Sequence, residues 1–317
     1  MRMEKTLYVV VPCYKEEEVL PETAKRLKAK LAALMEASKI SGNSRVLFVN
    51  DGSTDRTWEI IAELHEGDKL FSGVNLSRNR GHQNSLLAGL TTAVQRADLL
   101  ISMDADLQDD INAMDAMIDR YHEGYDVVYG VRSSRKTDTA FKRLTAEGFY
   151  KLMRALGVDI VFNHADYRMM SKRAVEGLLQ FDEVNIFLRG IVPQIGYSWT
   201  TVEYERAERF AGESKYPFKK MLTFALDGIT SFSIKPLRLI VFLGAVVFIL
   251  SMLMLLWSLF ERLIGHVVSG WTSLMFSIWM LGGLQLLSLG VIGEYIGKIY
   301  SEAKHRPRFI IERVLDD

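Results

Sequence analysis

Short apolar runs, each ending in a polar cluster, alternate with amphipathic stretches through the first two thirds of the chain. Residues 6–12 (Thr-Leu-Tyr-Val-Val-Val-Pro) are β-branched and uninterrupted, the pattern of a buried strand bounded by proline. From residue 16 to 38, Val19, Leu20, Leu27, Leu31 and Leu34 recur near helical spacing and predict a helix. Residues 45–50, 70–76, 98–103 and 126–131 repeat the strand pattern. Between them lie predicted helices: one from about Arg56, with Ser53 or Thr54 as its cap, one over 81–97, and one ending near Tyr121. Further on come a helix over 140–156, a short strand over 165–170, helices over 173–179 and 184–191, and a strand over 198–204. Strands alternating with helices predict a parallel, doubly wound sheet. Ligands of such sheets sit outside the carboxyl ends of the strands. Residues 12–16, 51–55, 77–82 and 104–108 all fall there, so four polar loops converge on one crevice.

The last third is different. Residues 239–260 carry no charge, and 263–293 carry none apart from a possible one on His266. Each run exceeds the roughly 20 residues that cross a bilayer as a helix. Two transmembrane helices are expected, over 237–260 and 271–296, and their short connection makes them a hairpin. Lys235 and Arg238 precede the first, and Lys298, Lys304, Arg306 and Arg308 follow the second, whereas the connection holds only Glu261, Arg262 and His266. The positive-inside bias then puts both outer ends on the cytoplasmic side. Residues 218–234 alternate apolar and polar and predict an amphipathic helix lying in the interface. The apolar run near the N-terminus is too short for a signal peptide, so the preceding domain is expected in the cytosol.

Lys+Arg and Asp+Glu each number 39 in 317 residues, a balance that points to no nucleic-acid partner and leaves any electrostatic function to local clusters. Cys13 is the only cysteine, which excludes an internal disulfide and any multi-cysteine metal site. The chemistry concentrates in residues 100–109, Leu-Ile-Ser-Met-Asp-Ala-Asp-Leu-Gln-Asp, where Asp104, Asp106 and Gln108 occupy alternate positions at a predicted strand end. On a strand, alternate side chains share one face, so two carboxylates and an amide converge while Ala105 and Leu107 point away. A few oxygen ligands suit Mg²⁺ or Mn²⁺ that also holds a substrate's phosphates.

The motifs Val11-Pro-Cys-Tyr-Lys-Glu-Glu17, Val49-Asn-Asp-Gly-Ser-Thr-Asp55, Leu76-Ser-Arg-Asn-Arg-Gly81 and Met103-Asp-Ala-Asp-Leu-Gln108 resemble those of family 2 glycosyltransferases of the GT-A fold. With Ala165-Asp-Tyr-Arg168, Gly212-Glu-Ser-Lys-Tyr216 and the terminal apolar hairpin, the chain is similar to polyprenyl-phosphate glycosyltransferases, the dolichol-phosphate-mannose-synthase-like group that includes bactoprenol glucosyltransferases. The resemblance implies a GT-A, Rossmann-like doubly wound sheet with interfacial amphipathic helices and a two-helix transmembrane hairpin. It implies that Pro12, Tyr14, Glu16 and Asp51 hold the base and ribose, with Arg78 near the pyrophosphate. Asp106 and Gln108 are the first choice for metal contact, and Asp104 is either a ligand or a hydrogen-bond partner of the nucleotide.

Asp166 matches the residue given the part of catalytic base, although an acceptor phosphate is already ionised at neutral pH. Orienting a sugar hydroxyl or stabilising positive charge at the anomeric carbon are alternative roles for it. Ser214 and Lys215, just before the interfacial helix, are placed to receive a lipid phosphate, with Arg132 and Arg135 completing an anion clamp. Arg206 and Arg209 suit either the lipid phosphate or the donor diphosphate. Gly81 is expected to relieve a turn, and Gly89 to permit close packing.

The expected organisation is a cytoplasmic catalytic domain over 1–215, an interfacial helix over 216–235, a hairpin over 236–297 and a cytoplasmic tail over 298–317. The expected reaction is inverting, metal-dependent transfer of one sugar, most readily from UDP-glucose, to undecaprenyl phosphate. UDP-galactose, UDP-N-acetylglucosamine, a modified arabinose donor and GDP-mannose are the alternative donors. The expected location is the bacterial inner membrane, as a multi-pass protein, and glycines along the hairpin favour a homo-oligomer. A processive synthase would show a Gln-x-x-Arg-Trp motif and more membrane helices, which are absent. The remaining rival is a non-catalytic nucleotide-sugar sensor or lipid-carrier translocase.

Overall fold

Strand β1 (Leu7–Cys13) is buried along its whole length and forms the centre of the molecule. In the computed structural model, which describes residues 4–133, 164–184, 186–207, 234–264 and 270–316, its side chains divide between two cores. Leu7, Val9, Val11 and Cys13 face helix α1 (Leu20–Glu36) with Leu20, Leu27 and Leu31, while Tyr8 and Val10 face helix α3 (His82–Ala93) with Leu86 and Leu90. The period of two in a strand makes this division. Contact with α3 is close: a Cβ on Gly89 would lie 2.4 Å from Val10 Cγ1 and 2.7 Å from Val49 Cγ2, so the packing role expected of this glycine holds.

The remaining elements are β2 (Arg45–Asn50), α2 (Thr57–Gly67), β3 (Phe71–Leu76), β4 (Leu99–Ser102), α4 (Ala113–His122), β5 (Val127–Arg132), β6 (His164–Ser171), α5 (Lys172–Leu178), α6 (Leu188–Gln194), β7 (Trp199–Tyr204), α7 (Lys235–Leu263), α8 (Trp271–Ala303) and β8 (Ile311–Leu315). The strands form one sheet in the order β7-β5-β6-β4-β1-β2-β3-β8. Strands β3, β2, β1 and β4 are parallel, as expected, but β6 runs antiparallel between β4 and β5, and β8 antiparallel on the outer edge of β3. The sheet is therefore mixed. Alternation of elements suggests parallel pairing but cannot reveal a strand that enters from the opposite end.

The expected cap of α2 also differs. Ser53 Oγ accepts the Lys15 N–H (3.1 Å), and the first turn is held instead by the Asp55 carboxylate, which accepts from the Thr57 N–H (3.2 Å) and hydroxyl (2.7 Å).

Helices α7 and α8 are each long and apolar enough to cross a membrane, with mean hydropathy of 2.6 over Lys235–Met254 and 1.3 over Ser277–Ala303. Their large side chains, such as Trp257, Trp279 and Leu286, lie outside both cores and are exposed. After α8 the chain returns to the sheet as β8, where Asp316 pairs with Arg96 (2.7 Å) and Glu312 accepts from Asn75 Nδ2 (2.8 Å). What the sequence presents as a tail is thus an edge strand, and it brings the end of the hairpin back to the sheet. The helix expected over 140–156 and all but the last residue of the one expected over 218–234, together with Arg135, Arg209, Ser214 and Lys215, lie outside the described residues.

Candidate active site

At the carboxyl ends of β2 and β3, two loops lock together through Asp51. Its buried carboxylate accepts the backbone N–H groups of Arg80 (2.7 Å) and Gly81 (2.9 Å). Burial pushes this carboxyl above its ordinary value, and those two hydrogen bonds oppose the shift. Gly52, at φ +61°, lies under the same turn: a Cβ there would meet Arg78 C and Asn79 N at 2.5 Å. Gly81, at φ +85° with open space around it, serves the turn itself, as expected. Asn50 extends the linkage by accepting from the Ser53 N–H (3.2 Å) and donating to Asn75 (2.7 Å).

The neighbouring loop leaves β1 through buried Pro12 and half-exposed Tyr14. Lys15 adopts a left-handed φ of 57°, and the Glu16 N–H donates to Thr57 Oγ1 (3.0 Å). This loop, the Asp51 loop and the 77–81 turn are consecutive walls of one crevice.

The acidic motif is not part of a strand. β4 ends at Ser102, and Asp104, Asp106 and Gln108 lie in a turn in which Leu107 has φ 57°. The expected alternation survives as burial: Ala105 and Leu107 are buried, and the polar residues open to the crevice. Burial of Leu107 holds a non-glycine residue in a sparsely populated conformation. Local bonds complete the turn. Asp106 Oδ1 accepts the Gln108 N–H (3.2 Å), and Thr23 Oγ1, from α1, donates to Ala105 O (2.8 Å). Asp104 Oδ1 lies 3.5 Å from His82 Nε2. Burial in the crevice raises the Asp104 carboxyl, His82 opposes that, and the charges of Asp166 and Asp106 add to it. Gln108 accepts from Arg206 through its side chain and from the Ala207 N–H through its backbone carbonyl (2.9 Å).

Beneath this turn sits Asp109, which no motif singled out. It accepts from the Tyr204 hydroxyl (2.5 Å), and burial followed by the charge of Asp104 pushes its carboxyl up to about 6. Arg132, paired in register with Tyr204, lowers it again.

Asp166 enters on the antiparallel strand β6, whose backbone is tied to β4 by Ser102 Oγ donating to Asp166 O (2.7 Å). Its carboxylate receives Arg168 Nη2 (2.8 Å), Arg189 Nη2 (2.8 Å) and Arg189 Nε (3.2 Å). Burial works against the charge, but the two guanidiniums, Arg189 first, outweigh it and hold the carboxyl far below the usual range. Arg189 was not anticipated, because it lies on α6, 23 residues along the chain from its partner. Its helix is seated by Gln83 Oε1, which accepts the Leu188 N–H (2.7 Å).

The fold thus brings together Asp104, Asp106, Gln108, Asp166, His82, Arg189 and Arg206. Arg78 lines a pocket formed with the end of α8 and the segment after it. Among the described residues, no group of three or more His, Cys, Asp or Glu side chains forms a closed metal cage. Two carboxylates and an amide oxygen on an open turn fit a hard cation that keeps positions free for substrate oxygens.

A mixed α/β sheet with an acidic turn outside its central strands defines the GT-A, Rossmann-like glycosyltransferase core. The chain belongs to glycosyl transferase family 2, whose model matches residues 8–179, and residues 235–299 match the GtrB C-terminal hairpin. It is 52% identical over 98% of its length to "Uncharacterized glycosyltransferase YkoT" of Bacillus subtilis (strain 168), covering 92% of that protein. It is 41% identical to the bactoprenol glucosyl transferase of Shigella phage SfV, with 96% of this chain and 97% of that one covered. It is also 41% identical to the prophage bactoprenol glucosyl transferase homolog of Escherichia coli (strain K12), with 96% and 98% covered. The protein is a glycosyltransferase.

Proposed function

We propose that this enzyme transfers one sugar, most readily glucose from UDP-glucose, to undecaprenyl phosphate at the cytoplasmic face of the bacterial inner membrane. The single observation that carries this reading is that one chain joins the acidic crevice to an apolar hairpin whose far end returns to the same sheet as β8. Catalytic domain and both outer hairpin ends therefore share one side, where a soluble donor meets a lipid-borne acceptor. The names of the two 41% identical relatives, a bactoprenol glucosyl transferase and a homolog of one, support the lipid acceptor and glucose.

In this reading Pro12, Tyr14, Glu16 and Asp51 form the nucleoside wall, and Asp104, Asp106 and Gln108 hold Mg²⁺ or Mn²⁺. Such an ion, when bound, offsets the charge that develops on the departing diphosphate. His82 sits beside Asp104 and Arg206 beside Gln108, where they add donors or positive charge. Asp166, kept ionised by Arg189 and Arg168, orients the sugar and faces the positive charge that grows at the anomeric carbon. It is poorly suited to take a proton, since its carboxyl lies far below the usual range. The acceptor phosphate needs no base. Arg132 and residues of 209–215 receive it, and holding both reactants at the interface supplies proximity. In-line attack then inverts the anomeric configuration.

The test uses full-length protein in detergent with Mg²⁺ or Mn²⁺, undecaprenyl phosphate and a panel of nucleotide-sugars, reading released nucleotide and glycolipid. Lipid-dependent turnover of UDP-glucose is expected. Turnover of another donor alone would overturn the sugar, and donor binding without glycolipid from any donor would overturn the reaction.

A further inference from the structure

A second polar pocket, of about 690 Å³, opens between the 77–81 turn and the chain that leaves α8. Arg78 and Arg80 line it on one side, and Lys304, Arg306 and Arg308 on the other, with no carboxylate among the lining residues. Arg308 is engaged with Phe181 O and Asp182, and Lys304 lies 3.9 Å from the centre of the Tyr300 ring. Among the described residues, Arg78, Lys304 and Arg306 form no ion pair. Two buried atoms of pocket residues lack hydrogen-bond partners: the donor Arg80 Nε and the acceptor Asn84 Oδ1. Arg308 has its counter-charge in Asp182, but three cations, Arg78, Lys304 and Arg306, converge without one among the described residues, beside an unused buried donor, and call for an anion.

The depth of the pocket indicates which anion. The uncharged run of α8 ends at Gly293, and Lys304, Arg306 and Arg308 follow it beyond the last turns of the same helix, so the pocket lies on the headgroup side of the hairpin. The unpartnered Asn84 oxygen adds an acceptor suited to a hydroxyl beside the phosphate. We propose that this pocket binds the phosphodiester headgroup of an anionic phospholipid, such as phosphatidylglycerol, at a site separate from that of the acceptor. The proposal rests on the reading that α7 and α8 lie in a membrane.

Occupancy would join three parts of the enzyme. The 77–81 turn is the one that Asp51 grips, and Val184, also in the pocket wall, donates its N–H to Glu302 of α8 (2.8 Å) just before the segment carrying Arg189. A headgroup there neutralises the converging cations and steadies both walls of the crevice.

The experiment compares wild type with a Lys304→Gln, Arg306→Gln double variant, full length, in nanodiscs of phosphatidylcholine alone or with phosphatidylglycerol. Native mass spectrometry reads the phosphatidylglycerol retained after extraction into detergent. Thermal unfolding in phosphatidylcholine confirms that the variant folds. Wild type should retain phosphatidylglycerol about tenfold better than the variant, the loss expected when charge-assisted hydrogen bonds are removed. Retention should survive millimolar inorganic phosphate. Equal retention by both proteins overturns the site, and complete displacement by inorganic phosphate reassigns it to a free anion and overturns the lipid. Flotation with vesicles separates the premises. A wild-type protein that floats with no vesicle overturns the membrane reading and this proposal together, whereas one that floats with both compositions but retains no more phosphatidylglycerol than the variant overturns the pocket alone.

Discussion

Arg189 clasps Asp166 with two hydrogen bonds, Nη2 to Oδ2 at 2.8 Å and Nε to Oδ1 at 3.2 Å, so that it shares Oδ1 with Arg168 and holds Oδ2 itself. An acid held between two guanidiniums is a fixed negative charge. Replacing Asp166 with Asn should lower turnover by about 100-fold or more, the scale on which a lost preorganised charge acts. Steady-state kinetics with the lipid acceptor checks this. Arg189→Ala should show a smaller loss, because Arg168 still pairs with the acid.

The same ion pairs set a pH dependence of stability. The folded-state pKa of Asp166 is depressed, so its contribution is fully present above the ordinary aspartate value, near pH 4, and drains as pH falls from there through the folded value. The stability gap between wild type and Asp166→Asn should hold constant from about pH 8 to 5 and shrink below about 4, as thermal melts across that range would show. A gap that closes between pH 8 and 5 would contradict this assignment.

Removal of the divalent ion is expected to stop transfer while leaving the fold intact, because no closed cage of ligands depends on it among the described residues. Chelation should abolish turnover, with Mg²⁺ or Mn²⁺ restoring it, and circular dichroism should not change. Asp106→Ala should not be rescued by added metal.

Gly52→Ala tests the junction of the donor loops. The added Cβ would lie 2.5 Å from backbone atoms of Arg78 and Asn79, at a φ of +61° that alanine resists. One loop must move, and with it the turn that Asp51 holds. A loss of about 2–4 kcal/mol of stability is expected, measured by denaturation, with weaker donor binding in calorimetry.

Truncation after Arg308 would remove β8. The hydrophobic edge of β3 would then be unpaired, and Arg96 and Asn75 would lose Asp316 and Glu312. Aggregation and a lower melting temperature should follow, since exposed strand edges template association. An unchanged melting temperature would mean that β8 is dispensable.

Local patterns determined much of this protein. A buried strand must be continuously apolar, so β1 to β5 could be placed within a residue or two, and the apolar runs of α7 and α8 declared themselves by length. The Asp-x-Asp-x-Gln motif and Asp166 were legible because their residue types and spacing carry chemistry. Tertiary structure decided what depends on partners remote in sequence. The antiparallel entry of β6 follows from its pairing with β4, and the conversion of the tail into β8 from its pairing with β3. The Asp104 turn replaces an extended strand because burial of Leu107 outweighs its backbone preference. Arg189 reaches Asp166, and Tyr204 reaches Asp109, only when separate elements pack together. A sequence records which side chains each segment offers, but the charge state of a buried acid is set by the neighbours that folding supplies.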